Sequence, residues 1–271
     1  MRILYPLAKR FIAGHDFDSA KGPIDKLIKQ GYEVSIDYIG EKSETIKECK
    51  DAFDQYLKII NYYKEKKIDI SIKPTQMGML IHPFVSYNFI ARLAEKAKNF
   101  NHTIRLDMED VDVTEETINL AISLNKKYNN VGVAIQANLY RTWEDVDLLI
   151  DNNISIRLVK GAYKGDVQIK NIKKDFLGLS VYLKAKQANK PAIATHDEEL
   201  LNKIDDHFYD YEFLYGIRRD LQKNLKGKKR RVRIYVPFGK NWFPYTIRRL
   251  KEFKNLKFIF INIIKEIFKS G

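Results

Sequence analysis

Cations and glycines follow directly after a short apolar stretch in the segment SIRLVKGAYKG, residues 155–165. Arg157 and Lys160 supply positive charge there. Gly161 has no Cβ, so a bound group can approach its backbone closely. Backbone N–H groups beside a lysine form a concave site that suits a phosphate. The segment therefore predicts an anion-binding site at the end of a strand.

A second cationic group lies in the segment WFPYTIRRL, residues 242–250. On a helix, Tyr245 lies three residues from Arg248 and four from Arg249, so the three side chains share one face. Adjacent arginines offer planar forks that match a carboxylate. A solvated basic helix face is the alternative interpretation, and the spacing alone leaves both open.

The elements that must position these residues are short β-branched runs separated by longer amphipathic segments. One such amphipathic segment, TEETINLAISLNKKY, runs from residue 114 to 128, and Thr114 is its predicted N-cap. Eight strand candidates can be read, and they are 33–39, 69–75, 103–109, 131–137, 155–161, 191–196, 211–216 and 232–239.

Alternating strands and helices predict parallel βαβ units. Eight such units without a Pro/Gly/Ser-rich linker favour one closed (β/α)8 TIM-like barrel, a single domain over residues 1–271. The same pattern predicts an N-terminal helix with Pro23 in its first turn and Gly31 at its end, and a C-terminal helix over NLKFIFINIIKEIFKS. Neither GxGxxG nor GxxxxGK[ST] occurs, which argues against a Rossmann or P-loop fold.

In a barrel of this kind the active site forms where the strands end at their carboxyl side. Cationic, carboxylate, amide, imidazole and phenol side chains all occur at the predicted ends. They are Asp37, Lys73, Asp107, Met108, Glu109, Gln136, Arg157, Lys160, Thr195, His196, Glu212 and Tyr235. Any one of them alone is more often a solvated loop residue, but their convergence predicts a site.

Composition limits the remaining classes. The formal net charge of +13, from 48 Lys and Arg against 35 Asp and Glu, favours an anionic partner. Cys49 is the single cysteine, so no intrachain disulfide can form and a reducing, cytoplasmic location is expected. The opening MRILYPLAKRF has no apolar core of secretory length, and the run FIFINII is far shorter than a membrane span.

Metal and serine-hydrolase chemistry find no support in the motifs. The five histidines form no HExxH pair, and the lone cysteine has no partner cysteine, so no metal site is predicted. A Ser-His-Asp triad would need a GxSxG turn, which is absent.

Taken together, the chain resembles the FAD-dependent proline dehydrogenases, the monofunctional proline oxidase family. The resembling segments span nearly the whole chain, and they are LAKRFIAG, VSIDYIGE, SIKPTQMG, IRLDMED, AIQANLYRT, IRLVKGAY, ATHDEEL, GIRRDLQ, RVRIYVPFG and WFPYTIRRL. The resemblance implies a distorted (β/α)8 barrel that holds FAD at its carboxyl face. It also implies oxidation of L-proline to Δ1-pyrroline-5-carboxylate, the first step of proline catabolism, by hydride transfer from C5 to the flavin.

The same resemblance implies roles for individual residues. Asp107 and Arg157 match catalytic positions, and Lys73, Arg248 and Arg249 match the positions that hold the substrate carboxylate, while Tyr235 and Tyr245 match the pocket walls. The implied flavin contacts are Met108, Gln136, Lys160, Gly161, Ala162, Thr195 and His196. We assign Arg141 or Arg157 the task of favouring the reduced, anionic flavin, and we expect Asp107 to pair with Arg248 or Arg249. The seventh strand looks two residues shorter than in the family.

Two other functions remain as alternatives. Lys73 or Lys160 at a strand end is compatible with a class I aldolase, which forms a Schiff base through a lysine of lowered pKa. The run KGKKRRVR, residues 226–233, is compatible with nucleic-acid binding, although its alternation fits a charged loop that enters strand eight better. We therefore expect no nucleic-acid partner.

The resemblance also implies an electron acceptor, and we expect a membrane quinone. The amphipathic tail from Leu256 is compatible with peripheral contact at the inner face of a membrane, or with packing of the same apolar face on the barrel.

Overall fold

The computed structural model describes residues 8–163 and 171–254. Its strands and helices alternate along the chain. The strands are β1 Glu33–Tyr38, β2 Asp69–Ile72, β3 Thr103–Leu106, β4 Val131–Gln136, β5 Ser155–Val159, β6 Ala192–Ala194, β7 Asp210–Leu214 and β8 Arg231–Phe238. The described helices are α1 Phe17–Lys29, α2 Ile46–Tyr62, α3 Pro83–Lys98, α4 Thr114–Tyr128, α5 Thr142–Asp151, α6 Ile172–Ala185, α7 Glu198–Ile204, α8 Arg219–Gly227 and α9 Trp242–Lys254.

The eight strands form one closed parallel barrel in sequence order. β1 closes the barrel against β8, with Glu33 opposite Arg233 and Tyr38 opposite Phe238. The predicted (β/α)8 barrel is therefore confirmed. β7 pairs with both of its neighbours, from Asp210 to Glu212 with β6 and from Asp210 to Leu214 with β8, so the barrel closes at this strand as well.

Alternation along each strand separates two environments, because successive side chains point to opposite faces. The apolar set, which includes Ile36, Ile70, Ile104, Ile156 and Ile234, is buried in the main hydrophobic core together with residues of the surrounding helices. The intervening side chains face the barrel axis. Most barrels fill that interior with branched aliphatic residues, whereas this one places charged and hydroxyl groups there, and these groups form the candidate site.

A smaller core closes the carboxyl side of the barrel. It contains Ala8, Phe11, Ile12, Ile39, Ile217 and Tyr245, with Trp242 and Leu250 packed against it. The residues that precede α1 thus pack against α9. This contact fixes the helix that carries the paired arginines above the strand ends.

Two details of the predicted helix ends are wrong. α1 begins after Asp16, whose carboxylate accepts a hydrogen bond from the Ser19 N–H in a capping box, so Pro23 lies inside the helix and not in its first turn. Gly31 does follow the end of this helix, at a φ of 74°. Thr114 is not the cap of α4 but its first helical residue, because a 3₁₀ turn, Val111–Val113, precedes it.

Several other predictions concern the surface and the tail. The basic run 226–233 leads into β8 and makes ion pairs, since Lys228 and Arg230 both pair with Asp205 and Arg231 pairs with Asp210. The predicted C-terminal helix from residue 255 lies outside the described residues. Among the helices of residues 8–163 and 171–254, none combines the length and the hydropathy needed to cross a bilayer.

Candidate active site

Five ionised side chains from five strands or strand ends meet inside the barrel. They form what we call the central cluster, and they are Asp37, Lys73, Asp107, Arg157 and Glu212. All five had been predicted at strand ends from the sequence. The closure of the sheet brings them together, because they face the same axis from different sides.

Arg157 occupies the middle of the central cluster. Its guanidinium contacts Asp107 Oδ1 at 2.7 Å and both oxygens of Glu212 at 2.8–2.9 Å. Its Nη2 also donates to the hydroxyls of Ser35 and Ser71, at 3.0 and 2.9 Å. One arginine therefore ties β5 to β1, β2, β3 and β7, which explains why a planar group with five donors stands here.

Lys73 lies at the pocket side of the same cluster, with its side chain 15% exposed. Its Nζ lies 3.1 Å from Asp37, 3.2 Å from Asp107 and 3.2 Å from the hydroxyl of Tyr235. Tyr235 in turn donates to Asp107 Oδ2 at 2.6 Å, and its ring faces Arg157. The predicted substrate-side residues Lys73 and Tyr235 are thus joined to the predicted catalytic residue Asp107.

Burial and oppositely charged neighbours shift the pKa of each group in opposite directions. Burial raises the pKa of Asp37, and although Lys73 opposes this, the pKa stays above its usual value. Burial also acts to raise the pKa of Asp107, but Lys73 and Arg157 outweigh it and the pKa is lowered. Burial acts to lower the pKa of Lys73, yet the charge of Asp37 and further neighbours raise it well above the usual range.

A raised lysine pKa argues against the aldolase alternative at Lys73. A Schiff-base lysine must lose its proton to act as a nucleophile and therefore needs a lowered pKa. Lys73 instead lies between two buried carboxylates that favour its charged form. The environment suits a fixed positive charge.

The loop after β5 carries the predicted anion-binding glycine. Gly161 has a φ of 119°, and a Cβ built on it would lie 2.1 Å from Oδ1 of Asn138. Only glycine fits this position without displacing its neighbour. The side chain of Gln136 accepts hydrogen bonds from the N–H groups of Ala162 and Tyr163, at 3.1 and 3.4 Å, so it holds the loop from the other side.

The end of β6 contributes Thr195 and His196. Nε2 of His196 accepts a hydrogen bond from the N–H of Leu214 at 3.0 Å. Burial, with Arg249 and other cations nearby, lowers the pKa of His196 to about 3, so the imidazole is neutral. Lys160 pairs with Asp197 at 2.7 Å, which places a cation beside this strand end.

Helix α9 carries Arg248 and Arg249 at the carboxyl side of the barrel. We call this opening, above the central cluster, the mouth. Arg248 contacts Oε1 of Glu41 at 2.9 Å, and Arg249 lies over the ring of the buried Tyr245, 5.1 Å from its centroid. Of the two arginines expected to pair with Asp107, Arg248 instead reaches Glu41 in the loop after β1, while the Asp107 carboxylate contacts Lys73 and Arg157. The predicted helix itself is confirmed.

Two predicted flavin contacts lie at the edge of this arrangement. Arg141 makes two hydrogen bonds to Asp145, at 2.8 and 3.0 Å, and lies 3.7 Å from Glu115, neither of which belongs to the central cluster. Met108 lies beside Glu109 and lines a small cavity with Gln136.

Several residues of the mouth were missed by sequence reasoning. Glu41 pairs with Arg248, and the hydroxyl of Tyr163 donates to Glu41 at 3.4 Å. Glu109 had been predicted at a strand end, and it accepts hydrogen bonds from the N–H and the hydroxyl of Thr75, which fixes the loop after Lys73. Asn138 donates to the carbonyl of Tyr163 at 3.0 Å. Glu41, Asn138 and Tyr163 all lie within segments that resemble the family, but nothing in their residue types or spacing singled them out. No group of three or more His, Cys, Asp or Glu suited to a metal occurs among the described residues.

Fold and site together define a (β/α)8-barrel enzyme with a buried ion cluster beneath a cationic mouth. The chain belongs to the proline dehydrogenase family, since the model of that family matches residues 20–176 and 170–259. It is 31% identical to the proline dehydrogenase of Deinococcus radiodurans, over 97% of this chain and 91% of that one. It is 30% identical to proline dehydrogenase 1 of Bacillus subtilis subsp. natto, over 96% and 91% of the two chains.

Solved structures show the same fold. Proline utilization A from Bdellovibrio bacteriovorus, inactivated by N-propargylglycine, superposes with a TM-score of 0.84 at 21% identity. The superposition covers 92% of this chain and 33% of that one.

Proposed function

We propose that this protein oxidises L-proline to Δ1-pyrroline-5-carboxylate and that FAD accepts the hydride. The observation that carries the proposal is a cationic mouth, formed by Lys73 and Arg248, next to the buried cluster of Asp107 and Arg157, in a chain of the proline dehydrogenase family. Proline is a zwitterion at neutral pH, so a site for it needs cations for the carboxylate and a fixed orientation for the ring.

The carboxylate of proline is the expected partner of Arg248 and Arg249, with Lys73 below them. Arg248 already contacts one carboxylate, that of Glu41, at 2.9 Å. A substrate carboxylate would compete with Glu41 for the same guanidinium. Lys73 directs its ammonium group at Asp37, Asp107 and Tyr235, so its main contribution is positive charge at the pocket floor.

Arg157 and Asp107 then act as the rigid base of the pocket. Arg157 is almost completely buried, and four polar side chains from other strands hold its guanidinium. Asp107 fixes the hydroxyl of Tyr235, which would wall the substrate ring together with Tyr245. Holding these groups in place before the substrate binds favours orientation of its C5 atom.

The residues beside the mouth fit an FAD cofactor. The phosphates of an anionic dinucleotide need cations and backbone N–H groups that they can approach. Its ring system can also hydrogen-bond to a neutral side chain such as an imidazole. Gly161 at a positive φ, Lys160 and the neutral His196 supply these groups. The residues proposed to hold FAD are Met108, Gln136, Arg141, Lys160, Gly161, Ala162, Thr195 and His196. When bound, FAD would supply the two-electron acceptor for the C5 hydride.

We further propose a cytoplasmic enzyme that passes its electrons to a membrane quinone. The net charge of +13 supports contact with an anionic membrane surface. The tail from Leu256, which we expect to make that contact, lies outside the described residues.

The test is the visible absorption spectrum of the purified protein with added FAD, recorded before and after anaerobic addition of excess proline. The expected result is a flavin spectrum that bleaches with proline. A Lys73→Met variant should bind FAD but need far more proline, while Lys50→Met, which changes an exposed lysine on α2, should match the wild type. Failure to take up FAD would overturn the cofactor, and retained flavin that proline does not bleach would overturn the substrate.

A further inference from the structure

The loop after β5 is held by two amide side chains from the end of β4. Gln136, the last residue of β4, accepts hydrogen bonds from the N–H groups of Ala162 and Tyr163. Asn138, two residues further on, donates from Nδ2 to the carbonyl of Tyr163 at 3.0 Å. Both faces of this short loop are therefore fixed by the neighbouring strand end.

Asn138 also fills the space beside the loop glycine. A Cβ on Gly161 would lie 2.1 Å from Oδ1, 2.2 Å from Cγ and 2.6 Å from Nδ2 of Asn138, all closer than real contacts allow. The planar amide thus packs flat against the Gly161 backbone. The positive φ of Gly161 and this packing are two independent reasons for glycine at this position.

The side-chain oxygen of Asn138 has no hydrogen-bond donor among the described residues. Oδ1 of Asn138 is buried and accepts no hydrogen bond there. A buried amide oxygen without a donor costs free energy, so such a group points to a requirement of the loop or of a ligand. It lies at the loop to which Lys160 and Gly161 belong.

The loop reaches the substrate side of the mouth as well. The hydroxyl of Tyr163 donates to Glu41 at 3.4 Å, and Glu41 holds Arg248. The backbone of Tyr163 is fixed by Gln136 and Asn138, so the placement of its ring depends on the same two amides.

We propose that Asn138 is a positioning residue for the cofactor, which holds the 160–163 loop in the shape that FAD requires. This inference rests on the proposed function, because it takes FAD as the ligand. Asn138 acts through Gly161 and Tyr163, and it sets the affinity for FAD more than the chemical step.

The chain supplies a matched control in Asn130. This residue immediately precedes β4, at the opposite end of the strand, and its Nδ2 donates to the carbonyls of Ala94 and His102 at 2.9 and 3.2 Å. Its Oδ1 is also buried without a donor among the described residues. Asn130 is therefore a partly comparable amide, with a buried side-chain oxygen, at the opposite end of the strand from Asn138.

The experiment measures the dissociation constant of FAD for the apoprotein, by the change in flavin fluorescence, in Asn138→Ala, Asn130→Ala and the wild type. Loss of one hydrogen bond corresponds to roughly a 2- to 10-fold weaker affinity, expected for Asn138→Ala only. Urea unfolding of the apoproteins shows whether each variant folds. Equal FAD affinity in folded Asn138→Ala and wild type would overturn the inference, while a wild type that binds no FAD would overturn the proposed function first.

A double-mutant cycle gives a second readout that does not depend on turnover. Gly161→Ala should weaken FAD binding strongly in the wild-type background, because the new Cβ meets the amide of Asn138. In the Asn138→Ala background this clash is removed and only the strain of the positive φ remains, so the additional loss should be smaller. Strictly additive effects on FAD affinity would contradict the proposed packing.

Discussion

Arg157 is the residue whose loss should change this protein most. Its side chain is 4% exposed, and it forms ion pairs with two buried carboxylates, Asp107 and Glu212. An Arg157→Met substitution keeps an unbranched chain in the barrel but removes the charge and all of the donors. Asp107 would keep Lys73 as a partner, whereas Glu212 would lose its ion pair with Arg157.

The expected magnitude follows from the burial of the pair. Removal of one partner of a buried ion pair costs about 3–5 kcal/mol, because the other charge stays behind in a medium of low polarity. For a chain of this size, each kcal/mol lowers the midpoint of thermal unfolding by roughly 2–4 °C. The variant should therefore melt roughly 6–20 °C below the wild type if it folds.

The pH dependence separates this explanation from simple loss of packing. In the wild type, Lys73 and Arg157 lower the pKa of Asp107 despite burial. The ionised Asp107 therefore contributes to the free energy of unfolding above the pKa of the unfolded state, near 3.8, and this contribution is lost as pH falls through the lower folded pKa. Without Arg157, the pKa of Asp107 should rise, because burial is then opposed by one cation fewer. The protonated form of Asp107 is then favoured, and stability falls as pH rises through the raised pKa. The difference between variant and wild type should therefore be largest at neutral pH and shrink in acid.

The assay is urea unfolding followed by circular dichroism, at neutral pH and in a mildly acidic buffer. Arg92→Met is the control, since Arg92 is an exposed arginine on α3 that stacks on Phe53, and its loss should cost about 1 kcal/mol or less. An equal loss of stability for Arg157→Met at both pH values, or a loss no larger than that of the control, would refute the electrostatic account.

Three further changes test separate parts of the structure. Burial raises the pKa of Asp37, so the folded protein loses stability as pH rises through the folded pKa of this group. Asp37→Asn should therefore make the free energy of unfolding in urea less dependent on pH, and an unchanged dependence would contradict this. Arg248→Met should raise the KM for proline by roughly 10- to 100-fold, as expected for a charged hydrogen bond of about 1.5–3 kcal/mol, and steady-state kinetics with an unchanged KM would exclude Arg248 from the carboxylate site. Gly216 has a φ of 74°, and a Cβ there would lie 1.8 Å from the carbonyl oxygen of Arg10. Gly216→Ala should therefore lower the free energy of unfolding by at least about 1–3 kcal/mol, as measured by thermal unfolding. Gly22→Ala is the control, because a Cβ on Gly22 meets nothing within 4 Å and should not destabilise the protein.

Much of the candidate site was predictable because it follows local rules. Alternation along the strand containing Arg157 places that arginine opposite to Ile156 and Leu158, whichever way the barrel closes. The glycine and lysine after the same strand, and the two arginines on one helix face, are likewise patterns of a few consecutive residues. The roles given to Lys73, Arg248, Arg249 and the flavin contacts came from resemblance to a family and stay predictions.

The partners of these residues were not predictable, because they come from distant parts of the chain. Glu41 and Arg248 are 207 residues apart, and Arg157 meets Ser35 across 122 residues. Asn138 gave no signal, since its use depends on a loop 23 to 25 residues later that folds back against it. Pro23 was misplaced because a capping box at Asp16 sets the start of the helix earlier than the proline does.

The sequence by itself determined the elements, the closed barrel and which side chains point to its axis, because hydrophobic periodicity and strand length are local properties that survive without knowledge of contacts. Only the tertiary structure decided which cations pair with which carboxylates. Closure of the sheet places three carboxylates and two cations within one buried volume, and burial makes their pairing strong enough to set which carboxyl has a raised pKa and which a lowered one. The same closure turns Lys73 from a candidate nucleophile into a fixed positive charge.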